Sequence, residues 1–365
     1  MKLRIPRVFT DVRLWALSFA LGIVAMSSVA IGQNTQTLTV VAWGGSAQDA
    51  HREAYWKPFA QINNVKIQED TWNGELAKLR AMVEAKNVTW DVLVADYAQA
   101  IQGCEQGILE KIDYNAIDSS PGFKDDFLPG TVHECGMPVT VFSWVWAYDE
   151  GRIPAAWGNN RPSTIADIFD TKKFPGKRAI RRDGKMILEW ALMADGVPKE
   201  KVYDLLRTNE GINRAFAKLD TIKPDIVWYT ANPQGVQLLA DGEAVLASQT
   251  NGRLNAANQQ GRKFKLVWDG HIYAVDVMIV PKGPRSKEAM KLIAFEAQPK
   301  IQANFPNYIT YGPARKSAMQ YVDRAKWPDL PTSPEHLKTA IPRNEEWYAD
   351  YFEEVRTKFN AWLTK

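Results

Sequence analysis

The residues of this chain best suited to chemistry are charged or aromatic, and they stand at the ends or in the middle of strand-like runs. Asp276 interrupts the apolar run YAVDVMIV at residues 273–280. A carboxylate buried in such a run is costly unless a cation or hydrogen-bond donors face it. That partner is either the ammonium of a bound amine or a structural Arg. Asn251 and Arg253, separated by Gly252 just beyond another strand-like run, are candidates for ligand contact. The planar fork of Arg253 suits a carboxylate, and the alternative is a surface or structural Arg. Trp43 ends the run LTVVAW and is followed by Gly44, Gly45 and Ser46. Its face can meet an ammonium, a cation–π contact worth roughly 0.5–2 kcal/mol, or it seals a sheet edge. Gly45 and Ser46 open a helix whose N–H groups could hold an anion, and Ser46 could equally be only an N-cap. Tyr273 and Tyr311 could add aromatic walls, as could Trp228 and Tyr229. This is chemistry of recognition.

Catalytic patterns are missing by comparison. The chain has no G-x-S-x-G, H-E-x-x-H, C-x-x-C, Walker A or G-x-G-x-x-G. The four His, at 51, 133, 271 and 336, lack the spacing of metal ligands. No metal, cofactor or catalytic residue is implied. Acids are plentiful, yet no pair stands out for glycoside hydrolysis. An exported carboxylate-pair hydrolase is therefore the alternative of a different class. A third reading is capture of chelated iron or an anion by Tyr and Arg.

The elements that must position these residues alternate between strand-like and helix-like, which predicts an α/β fold. Strands are expected at 37–43, 65–69, 90–95, 140–148, 178–181, 225–229, 244–248, 265–267 and 273–280. Helices are expected at 46–61, 74–85, 163–169 with Ser163 as cap, 185–194, 199–207, 211–219, 233–240, 251–260, 286–297 and 299–304. A short helix should follow Asp96 and Tyr97. Residues 345–363 repeat aromatic and apolar positions near 3.6 spacing, as an amphipathic helix does.

Residues 1–32 read as a secretory signal. Lys2, Arg4, Arg7 and Arg13 precede a thirteen-residue, mostly apolar run from Leu14 to Met26, which is short for a membrane span. The alternative is an uncleaved anchor. Those four bases and the one acid, Asp11, account for the whole net charge of +3, so the mature chain is balanced and no nucleic-acid surface is indicated. About 330 remaining residues predict two lobes. The two Cys, Cys104 and Cys135, should pair in an oxidising compartment, closing a loop worth roughly 3–4 kcal/mol in the chain-entropy model. Two buried free thiols are the alternative.

The order of several segments carries a further signal. AWGGS is followed by WDVLVADY and GCEQGILEKID, then LADGEAVLASQTNGR, YAVDVMIVPKGPRSKEAMKLIAF and YITYGPARKSA. In order and spacing these resemble the polyamine-type (spermidine/putrescine-like) periplasmic solute-binding proteins of ABC importers, over nearly all of residues 37–365. The resemblance implies a type II periplasmic-binding-protein fold, with two lobes hinged by crossing strands and ligand closed between them. Lobe one would hold 33–144 and 274–312, and lobe two 145–273 and 313–365. It implies a monomer in the periplasm that delivers a small amine to membrane permease subunits.

The same resemblance assigns further roles. Asp96 and Tyr97 would touch the ligand, although Asp96 could instead cap the following helix. Asp183 would be the second lobe's carboxylate for an ammonium, or an N-cap paired with its Arg neighbours. The chain also departs from the polyamine pattern. Met186 stands where a second acid is expected, and Thr250 and Ala274 stand where aromatics are expected. Fewer acids and a possible Arg suit a smaller or zwitterionic solute, which keeps γ-aminobutyrate beside putrescine and spermidine.

Overall fold

The computed structural model describes residues 36–365, and the signal-like segment 1–32 lies outside the described residues. Ten strands form a single mixed sheet: β1 (Thr37–Ala42), β2 (Lys66–Thr71), β3 (Val92–Asp96), β4 (Met137–Asp149), β5 (Arg178–Arg181), β6 (Ile226–Tyr229), β7 (Leu246–Thr250), β8 (Phe264–Ile279), β9 (Gly312–Pro313) and β10 (Ile341–Pro342). Eight of them run in the order β2-β1-β3-β8-β4-β7-β5-β6, with β10 on β8 and β9 on β4. The outer trios β2-β1-β3 and β7-β5-β6 are parallel. β3, β5 and β7 are almost wholly buried, as parallel strands covered on both faces are, while the edge strand β2 is largely exposed.

Two long antiparallel strands join the trios. β8 pairs with β3 through Asp276–Ile279 and with β4 from Phe264 onward. β4 pairs in turn with β7 through Trp144–Ala147. The sequence predicts two strands here, at 265–267 and 273–280. Instead the strand runs through as one of 16 residues. Gly270 takes φ +64, and the pairing register shifts between Trp144 and Trp146 opposite it. A bulge therefore absorbs the Asp269-Gly270 dipeptide without ending the strand.

Three local expectations are corrected. Helix α1 (Gly45–His51) starts before Ser46, with Gly44 as N-cap. Gly44 and Gly45 both take positive φ, at 71° and 62°, a turn that a side chain at either position would strain. The Gln48 side chain accepts the Gly44 N–H at 3.1 Å, and Ser46 lies inside the helix rather than at its N-cap. The helix then passes through a π-helical turn, Arg52–Trp56, before continuing over Lys57–Asn63. Ser163 is not a cap either: Thr164 caps Ile165–Phe169 in a capping box with Asp167.

Cys104 and Cys135 are disulfide-bonded. Cys104 lies near the end of helix α2 (Tyr97–Glu105), so the bridge ties that helix to the segment leading into β4. Much of the Trp content is core: Trp56, Trp146, Trp157, Trp190 and Trp347 are among the largest fully buried side chains. Three more helices matter for the site. They are α3 (Ile187–Ala194), α4 (Asn251–Gln259) and α5 (Glu345–Leu363). The last has the predicted bounds. Its buried face is Trp347, Phe352, Val355, Phe359 and Trp362, while Tyr351 is exposed.

Candidate ligand-binding site

Asp276 lies at the centre of the site because β3 ends beside it. The β3–β8 register sets Asp96 directly opposite Asp276, so two carboxylates stand side by side where that pairing ends. Asp276 is 5 % exposed. Burial, reinforced by the Asp96 charge, pushes its carboxyl up to about 8. Arg343, the Trp43 indole and the Thr140 hydroxyl oppose the shift without cancelling it. Thr140 is near enough to donate to Asp276 Oδ2 at 3.4 Å. Asp96 also caps α2, in a box with Gln99.

Trp43 leaves β1 half-buried and stacks on Trp72, with ring centroids 5.5 Å apart. Trp72 is itself pinned by its indole N–H to the Val94 carbonyl at 2.9 Å. This fixes an aromatic wall next to Asp276. Gly45 and Ser46 follow it, exposed at the start of α1.

The opposite charge comes from α4. Arg253 sits in its first turn, exposed, and no ion-pair partner for it is found among the described residues. Tyr311 is within electrostatic reach of both charges. Burial pushes its phenol up to about 12, with Asp276 adding to the rise and Arg253 and a Thr250 hydrogen bond opposing it. Its ring packs on Phe142 at 5.6 Å and over Gly252, where a Cβ would come within 2.4 Å of Cε1. The glycine before Arg253 thus lets Tyr311 close onto the helix start. Arg253 also acts on Tyr229, whose hydroxyl donates to the Ser248 carbonyl at 2.6 Å.

Other predicted residues hold the scaffold. Asn251 is buried: its Oδ1 accepts the Ser143 N–H at 2.9 Å and its Nδ2 donates to the Thr310 carbonyl. It orients the start of α4, and its polar atoms are committed to protein. Asp183 accepts the Lys185 N–H at 3.0 Å and pairs with Arg181 at 2.9 Å, the Arg-neighbour arrangement. Met186 is fully buried beneath Tyr348, so no second acid accompanies Asp183 there. Tyr97 donates its hydroxyl to the Val132 carbonyl at 2.9 Å. Tyr97 and Tyr273 line a separate cavity of about 710 Å³, which Trp43, Asp276, Tyr311 and Arg253 do not line. Trp228 packs on Phe359 and Trp362, within the aromatic cluster of α5.

Sequence reasoning missed Arg343 and Glu345. Arg343 follows β10, donates its N–H to the Tyr273 carbonyl at 2.9 Å, and forks onto Glu345 at 2.6 and 2.8 Å. Its guanidinium stands 3.9 Å from Asp96. The structural Arg considered for Asp276 therefore exists. Its best hydrogen bonds, however, go to Glu345, so Asp276 keeps unspent capacity for a cation. Nothing local in the Pro-Arg-Asn-Glu segment points to a strand 67 residues earlier.

The site thus offers an acid beside an aromatic wall and an open guanidinium, both within electrostatic reach of Tyr311. The comparisons with known proteins follow that chemistry. Residues 54–332 match the family described as bacterial extracellular solute-binding protein. The chain is 38% identical over 359 residues to the gamma-aminobutyric acid-binding protein of Pseudomonas aeruginosa, covering 98% of this chain and 97% of that one. The chain belongs to the bacterial extracellular solute-binding protein family. Among solved structures, this solute-binding protein is similar to an ABC transporter substrate-binding protein from Bradyrhizobium japonicum, with TM-score 0.81, 28% identity, and coverage of 90% of this chain and 100% of that one. It is also similar to a GABA receptor structure, with TM-score 0.77, 33% identity, and coverage of 90% and 98%. The architecture is the periplasmic-binding-protein fold. Solute-binding proteins of ABC importers capture and hand over a solute, and they are not enzymes. The family acts outside the cytoplasmic membrane. No helix among the described residues is long and apolar enough to cross a membrane.

Proposed function

We propose that this solute-binding protein captures a short zwitterionic ω-amino acid of the γ-aminobutyrate type and delivers it to an ABC permease. The observation that carries this reading is that buried Asp276 and exposed Arg253, which has no ion-pair partner among the described residues, both act on the same residue, Tyr311. A ligand with one ammonium and one carboxylate satisfies both: the ammonium meets Asp276 against the Trp43 face, and the carboxylate meets the Arg253 fork. A diamine leaves Arg253 facing a like charge. The absence of a second acid at Met186 and of aromatics at Thr250 and Ala274 points the same way. The relatives named for γ-aminobutyrate support the reading.

In this reading residues 33–144 with 274–312 form lobe one, and 145–273 with 313–365 form lobe two. β4 and β8 cross between them, and the solute closes the lobes. Residues 1–32 export the protein to the periplasm, where it works as a monomer with its permease.

Calorimetric titration tests the assignment. γ-Aminobutyrate should bind the wild type more tightly than putrescine or spermidine. Arg253→Ala should weaken γ-aminobutyrate by about 1.5–3 kcal/mol, roughly 10- to 150-fold, as expected for a charge-assisted hydrogen bond. It should weaken putrescine not at all. A wild type that prefers diamines, or an Arg253→Ala variant that keeps its γ-aminobutyrate affinity, refutes the reading.

A further inference from the structure

The 710 Å³ cavity meets the ligand-binding residues at one side chain. Ala274 and Val275 of β8 line it, while Asp276, next in the strand, does not. Tyr97 lines it, while Asp96, the preceding residue, does not. Arg343 belongs to both environments: it lines the cavity, stands 3.9 Å from Asp96, and its charge acts on Asp276. Arg343 therefore stands where the Asp96–Asp276 pair and the open volume meet.

Arg343 has little freedom to leave. It is 8 % exposed, its main chain is fixed to Tyr273, and its fork is held by Glu345 in the first turn of α5. The volume behind it suits an alkylammonium chain. Tyr203 and Tyr273 supply aromatic walls, and Glu200 and Glu346 supply carboxylates. Of the cations there, Lys199 is occupied by the carbonyls of Lys338 and Ala340, and Arg207 lies 3.9 Å from Asp204.

We propose that Arg343 sets the length limit of the ligand: it ends the site just beyond Asp276 and denies diamines and triamines the cavity behind it. This rests on the reading of Asp276 as the ammonium-binding group. Removing Arg343 alone would strand Glu345 as a buried unpaired charge, so the test uses Arg343→Ala with Glu345→Gln. A second pair, Arg343→Met with Glu345→Gln, refills the volume without the charge. Each is titrated with γ-aminobutyrate and spermidine. The Ala pair should raise the spermidine-to-γ-aminobutyrate affinity ratio at least tenfold, and the Met pair should leave the wild-type ratio in place. An unchanged ratio in a cooperatively melting Ala pair overturns the proposal, and so does a Met pair that behaves like the Ala pair. Should the Ala pair fail to fold, Arg343→Lys keeps the ion pair on a shorter reach. It should then extend the longest tolerated ω-amino acid, from β-alanine to 6-aminohexanoate, by at least one methylene; an unchanged limit overturns the proposal. Failure of the wild type to bind γ-aminobutyrate refutes the functional reading instead. The length limit is then judged on spermidine gained or not gained by the Ala pair.

Discussion

Asp276 carries two linked consequences, because burial and the Asp96 charge push its carboxyl up to about 8. In an unfolded chain an Asp titrates near 4. Between those values the native state holds a proton that the unfolded chain releases, so this group lowers stability as pH rises from about 4 to 8. Asp276→Asn removes that slope. Denaturant titrations should therefore show the variant gaining stability on the wild type as pH climbs, with the gap levelling off above pH 8. Ligand binding has the opposite sign. An ammonium needs the ionised carboxylate, so binding displaces the proton, and affinity should tighten by up to about tenfold per pH unit until pH 8. Calorimetry in buffers of different ionisation enthalpy should register close to one proton released at pH 6. A pH-independent affinity would show that the ligand ammonium does not sit at Asp276. The carboxylate in an apolar strand was legible from residue types alone. Trp43 from its residue type and Asp96 from the family resemblance were also legible as ligand contacts, whereas Arg343 was not, because a distant return segment brings it beside them.

At the level of elements, strand and helix positions followed from periodicity, whereas boundaries followed from bonds that periodicity does not encode. Gln48 rather than Ser46 serves the first turn of α1, since the Gly-Gly turn already starts the helix. β8 reads as two strands until β4 is seen opposite it, because a bulge in the pair accommodates Asp269-Gly270. The Cys104–Cys135 bridge is also an element-level device. It fixes the end of α2, whose start presents Asp96. Replacing both Cys with Ser should lower unfolding free energy by about 3–4 kcal/mol, the chain-entropy value for a loop of this length. Ligand affinity should stay within about twofold, because Asp96 is held independently by Gln99 and the β3–β8 register. A large affinity loss with little loss of stability would reverse that order of roles.

The whole molecule is organised around two strands that carry chain between the sheet's parallel trios, and the proposed ligand groups come from both sides. Asp276 and Trp43 stand on the β1–β3 side, and Arg253 follows β7 on the other. A solute that bridges them should draw the lobes together. Small-angle scattering should show a smaller radius of gyration with saturating γ-aminobutyrate, and the melting temperature should rise with ligand concentration beyond Kd. An unchanged radius together with a raised melting temperature would mean binding without closure. The sequence by itself determined the α/β class, the order of elements, the lack of catalytic motifs and the residue types able to recognise a charged solute. Those properties are local or additive: periodicity, composition and motif spacing. Tertiary structure alone decided which charges are spent and which remain open. Asn251 is consumed by the scaffold, Asp183 is paired with Arg181, and Arg343 is forked onto Glu345, while Arg253 stays exposed. The physical reason is that a group's availability depends on its partners and burial: the partners of Asn251 lie 108 and 59 residues away, and even between residues two apart, as in Arg343–Glu345, the folded backbone decides whether the side chains meet.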